Sequence, residues 1–124
     1  MNRLINNKTL NKIALFNFIL LIFYCSFIYW MSDRPSIPTP MIFPQQDKIF
    51  HGGAYFIMGM LAWRSFKPIF SMPILTALVF CSLFGASDEW HQTFVEGRFA
   101  EFADWFADTM GAGIGILFFK KFFR

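Results

Sequence analysis

Three short polar runs interrupt an otherwise apolar chain, and each carries side chains able to hold a proton, a cation or an anion. The first contains Asp47, Lys48 and His51, the second Glu89 and Gln92, and the third Asp104 and Asp108, with Arg98 between the last two. An α-helix turns about 100° per residue, so residues at i, i+4, i+7 and i+11 share a face. Asp104, Asp108, Gly111 and Gly115 form such a stripe. Leu78, Cys81, Gly85, Glu89 and Gln92 form a second, with Asp88 on its flank and His91 nearly opposite. Asp47, His51, Ala54, Met58 and Ala62 form a third, with Lys48 a step round the helix. Gly85, Gly111 and Gly115 read as packing positions at which a neighbouring helix comes close, so that the acidic groups point into that neighbour.

The chemistry of such a set has several forms. One imidazole among carboxylates is a donor set for a divalent cation, zinc where histidine ligates and magnesium or calcium where the shell is all oxygen. His51 beside a carboxylate is also a general acid/base pair. Lys48 and Arg98 suit the phosphate or carboxylate of a lipid-linked ligand. A purely structural network tying helix ends together is a further alternative, with Arg98 paired to Asp104 or Glu101. The residues alone leave these alternatives open and assign no metal, cofactor, catalytic residue or oligomeric state. The sequence has no Gly-x-Ser-x-Gly elbow, P-loop, His-Glu-x-x-His or metal-spaced cysteine pair. Gly111, Gly113 and Gly115 lie in an apolar stretch and read as helix packing, not as a dinucleotide loop.

The elements that must carry these groups follow from hydropathy and charge. Hydrophobic residues make up 56% of 124, 19 are Phe and only 15% are charged, which exceeds the apolar content of a soluble domain and makes the bilayer the expected solvent. Apolar stretches at about 13–31, 49–66, 71–90 and 102–119 predict four helices, each near the length that crosses about 30 Å of hydrocarbon. All eight acidic residues lie in or beside the first and third connections, whereas eight of eleven Lys and Arg lie at the ends and in the second connection. Basic segments stay in the cytoplasm. The expected fold is therefore an all-α four-helix transmembrane bundle, residues 1–124 forming one domain, with N and C termini cytoplasmic and the acidic end outside.

The first stretch reads as an uncleaved signal anchor, and the proline-rich segment 32–46 as an external loop. Trp30, Trp90 and Trp105 are expected near the outer boundary and Trp63 near the inner one. Cys25 and Cys81 read as small apolar packing residues. Nucleic acid is not an expected partner despite a pI near 9.1, because the basic residues are split among short ends.

On these residues the chain resembles the VanZ-like membrane proteins. The matching motifs lie within 47–115: Asp47 and Lys48 followed by His51, Glu89 and Gln92 before the aromatic Phe94, the turn Gly97-Arg98, then Asp104, position 108 and Gly111. The family usually has Asn where this chain has Asp108, which adds a possible negative charge. The resemblance implies a small bacterial multi-pass protein of the inner membrane that affects susceptibility to glycopeptide or lipopeptide antibiotics, its ligand a lipid or cell-wall precursor. A membrane-embedded enzyme acting on a lipid-linked or phosphorylated envelope substrate is the alternative, and whether the protein is an enzyme stays open.

Overall fold

The computed structural model describes residues 2–33, 46–95 and 101–122, with the side chains of residues 2–8, 10, 46 and 47 outside that description. The described residues form four α-helices: α1 (Asn2–Ser32), α2 (Gln46–Phe66), α3 (Pro73–Gln92) and α4 (Phe102–Phe122). The all-α class is the expected one. Helix ends differ from the apolar stretches because hydropathy marks what avoids water and not where the backbone stops being helical. The polar segment from Asn2 to Lys12 contains no Gly or Pro and continues α1 toward the N-terminus. Pro73 occupies the first turn of α3, where its missing N–H breaks no bond. The α2–α3 connection closes through Lys67 N–H to the Trp63 carbonyl at 2.9 Å and Phe70 N–H to the Phe66 carbonyl at 2.9 Å.

The tightest packing is between α2 and α4. A Cβ added to Gly111 would collide with the Gly52 carbonyl, one on Gly115 with the Phe56 carbonyl, and one on Gly59 with backbone atoms of Ala112. Only glycine permits this approach, and it brings the two backbones into contact at three points over about two turns of α2. Small and medium side chains fill the interior: Met58, Ala62, Ala77, Cys81, Ala112 and Ile116 are each at most 1% exposed. Cys25 and Cys81 are both free thiols. α1 packs on α2 and α3, and among the described residues has no contact with α4. Its Tyr24 hydroxyl donates to the Ala54 carbonyl at 2.5 Å, and Leu21 joins the core. Its side toward the bundle is less apolar than its composition suggests, since Asn17 and Ser32 are buried.

The polarity of the molecule is reversed from that of a water-soluble bundle. Phe23, Leu83, Phe106 and Ile114 are more than half exposed, whereas Asp88, Glu89, Gln92, Asp104 and Asp108 are buried. Within α1, Asn11–Ser32 is long and apolar enough to cross a membrane, and among the described residues no other helix meets the same test. Two tryptophans depart from the expected interfacial belt. Trp63 is 4% exposed, packed against Phe119 with Lys67 over its ring. Trp105 is half-buried, and its indole N–H donates to the Ser82 carbonyl at 2.9 Å, which couples α4 to α3.

Candidate functional site

Because α2, α3 and α4 run antiparallel in sequence, the start of α2, the end of α3 and the start of α4 meet at one end of the bundle. Lys48 and His51 come from the first turns of α2, Asp88, Glu89 and Gln92 from the last turns of α3, and Asp104 and Asp108 from the first turns of α4. Asp104 in the first turn of α4 also faces the partial positive charge of that helix end.

His51 and Asp108 are the innermost pair. His51 Nδ1 lies 2.9 Å from Asp108 Oδ1, the histidine half-buried and the aspartate 0% exposed. Gly85 on α3 makes room for them, since a Cβ there would stand 3.3 Å from both Asp108 Cβ and Oδ2 and 3.4 Å from Tyr55 Cε1. Glu89 Oε2 accepts from the Glu101 backbone N–H at 3.3 Å, which ties the end of α3 to the start of α4. Nearer the rim, Lys48 Nζ donates to Glu101 Oε2 at 3.0 Å and lies 3.4 Å from Asp104 Oδ1, the second contact at ion-pair distance without hydrogen-bond alignment. Among the described residues, one carboxylate oxygen from each of Glu89, Asp108 and Asp88 is buried with no hydrogen-bond partner.

Of the residues singled out in the sequence, His51, Glu89, Gln92, Asp104, Asp108 and Lys48 share this end of the bundle. Arg98 lies outside the described residues, as does the side chain of Asp47. Gly85 and Gly111 sit against the site itself, whereas Gly115 packs α4 on α2 a turn further along. Asp88, placed on a flank by the stripe, is 2% exposed and has Ser32 of α1 and Tyr55 of α2 as polar neighbours.

Tyr55 was not among the residues singled out, although its place four residues after His51 on the same helix face was the signal that could have found it. The coupling of Ser82 with Thr109, oxygen to oxygen at 3.2 Å, had no signal in the sequence. His91, turned away from the cluster, stacks on Tyr29 and sets Nε2 3.1 Å from Asp33, the residue after α1. That contact depends on how α1 ends, which periodicity within α3 does not report.

In charge, the described side chains at this end comprise six carboxyl groups, Asp33, Asp88, Glu89, Glu101, Asp104 and Asp108, against Lys48, His51 and His91. Such a cup offers many acceptors and few donors. It can take up hydroxyl and ammonium donors or a metal ion, and it can hold His51 oriented by a carboxylate. A family model described as VanZ/LLP1 matches residues 2–124. No curated protein and no solved structure matches the chain.

Proposed function

Because the chain belongs to the VanZ/LLP1 family, we propose that it is a multi-pass protein of the bacterial inner membrane, one domain whose acidic cup faces outward and binds the headgroup of a lipid or lipid-linked cell-wall precursor. Binding at that face alters susceptibility to glycopeptide or lipopeptide antibiotics by occupying or reorienting the precursor. The observation that carries the reading is the burial of four carboxyl side chains at one end of a bundle whose outer surface is apolar. In hydrocarbon such groups are costly unless they serve a site or a network, and they collect where helices face each other and not the lipid. The exposed Phe, Leu and Ile of α2, α3 and α4 support four spans, although among the described residues only α1 is apolar enough on its own. The carboxylates accept from sugar hydroxyls and amines, and Lys48 at the rim opposes a phosphate.

The direct test uses purified protein in nanodiscs titrated with a polyprenyl-diphosphate-linked cell-wall precursor, for wild type, Lys48→Ala and Asp104→Asn. Saturable binding that weakens about tenfold or more in Lys48→Ala, a change of about 1.4 kcal/mol, supports the reading. Absence of binding by the wild type, or equal binding by all three, removes it.

The 2.9 Å contact between His51 and Asp108 favours a second reading, an enzyme acting on a lipid-linked or phosphorylated envelope substrate. A buried carboxylate that fixes an imidazole is how a general base is oriented. Turnover of the same precursor by wild type, lost in His51→Gln while binding persists, selects this reading; no turnover in wild type discards it.

A further inference from the structure

We infer that His51, Glu89 and Asp108 form a binding site for one divalent first-row transition-metal ion. Each residue comes from a different helix, and one ligand atom from each lies within 4.8 Å of the other two. Four-coordinate ligands about 2.0–2.2 Å from a metal stand roughly 3.3–3.6 Å apart. Small side-chain rotations therefore close the triangle without moving a backbone.

Burial gives the second, independent observation. Glu89 is 7% exposed and Asp108 0% exposed, yet among the described residues Glu89 Oε1 and Asp108 Oδ2 have no hydrogen-bond partner. The Tyr55 hydroxyl, on a side chain 1% exposed, points among the same acidic groups and has Asp88 as its polar neighbour. Packed interiors seldom leave buried polar atoms unsatisfied, and two carboxylate oxygens so placed on two helices mark where a ligand of the protein belongs. Lys48 is held at the rim by Glu101 and Asp104, so it does not neutralise the inner pair. A divalent cation supplies what the carboxylate oxygens lack.

The donor set also narrows the ion. An imidazole nitrogen favours zinc or iron over calcium and magnesium, which prefer shells of oxygen alone, and the two carboxylates also admit manganese. Three protein ligands leave at least one coordination position for another group. The inference goes beyond the headgroup reading and does not need it, since the metal would bind with or without a lipid ligand. Where both hold, the ion turns an acid-rich cup into one that accepts a phosphate.

The experiment uses the full chain, purified in detergent, stripped with a chelator and titrated with Zn2+ or Mn2+ alone, with metal content read by mass spectrometry. Wild type should bind about one ion per chain. Affinity should fall at least about tenfold in Glu89→Gln and in Asp108→Asn, a lower bound set by what outer-shell changes cost elsewhere. His91→Gln, which removes the other His–carboxylate pair at this end, should bind as wild type does. Co2+ added to wild type should give visible d–d absorption bands, a readout that needs no variant to fold. No stoichiometric metal in wild type, unchanged affinity in both ligand variants, or an equal loss in His91→Gln overturns the site. These outcomes are separable from the precursor titration, because no lipid is present.

Discussion

Asp108 is the residue at which orientation and charge meet, since one oxygen fixes His51 and the other is buried against Gly85. Replacing it with Ala leaves the imidazole without its partner inside the bundle, and the expected loss is about 1–3 kcal/mol of stability. Asp108→Asn keeps an acceptor for His51 and should cost clearly less. Thermal unfolding in detergent, followed by tryptophan fluorescence, separates the two, and equal losses would mean that the His51 contact contributes nothing. Lys48 makes the opposite case. Its ion pairs lie at the rim, with Glu101 52% exposed, so Lys48→Met should change stability by less than about 1 kcal/mol. The same variant should weaken capture of the anionic precursor, and a stability loss as large as that of Asp108→Ala would make the lysine structural. Most of these side chains were legible before folding, because Asp104, Asp108, Glu89 and His51 fall on helix faces that spacing alone identifies. Their pairing was not, because which stripe meets which depends on the rotation of each helix, and it places His51 on Asp108 while Lys48 takes Asp104 and Glu101.

The glycines set how closely elements can approach, and they do so unequally. Gly53 has nothing within 4 Å of an added Cβ, so Gly53→Ala should leave packing intact and stabilise α2 by up to about 1 kcal/mol through helix propensity. Gly111→Ala places a methyl on the Gly52 carbonyl and must push α4 off α2, at a cost of about 1–3 kcal/mol or more. A melting comparison of the two alanines in one detergent checks this, and a rise for both would show that the backbones are not in contact. Spacing exposed Gly111 and Gly115 as a packing stripe, yet not their partner. The answering surface on α2, built from Gly52, Phe56 and Gly59, follows no small-residue repeat that stands out from its neighbours. The N-terminal start of α1 was equally hidden, since a polar helical extension has no apolar period to report it, whereas its end at Ser32 lies one residue past the apolar stretch.

For the whole molecule, the question is whether three helices too polar to cross a bilayer individually cross it as a group. Hydropathy averages over a helix and charges each Asp or Glu as though it faced lipid. In this bundle Asp88, Glu89, Asp104 and Asp108 are turned inward, and the outer surface of α2, α3 and α4 is rich in Phe, Leu, Ile and Met. For α3 and α4 the cost that hydropathy assigns to those carboxyls is thus overstated in the assembled bundle, while among the described residues Asn11–Ser32 is the span that passes by composition. Under the proposed topology of four spans, both termini and the α2–α3 turn would lie on the basic side, and the turn after α1 on the acidic side. Asp33 and Lys67 are both exposed and mark those two sides. In a background with Cys25→Ser and Cys81→Ala, Asp33→Cys should react with a membrane-impermeant maleimide on intact spheroplasts, whereas Lys67→Cys should react only after the membrane is opened. Labelling of both from the outside would leave α1 as the sole anchor and put the acidic cup in water, where burial of its carboxyls would need a different cause.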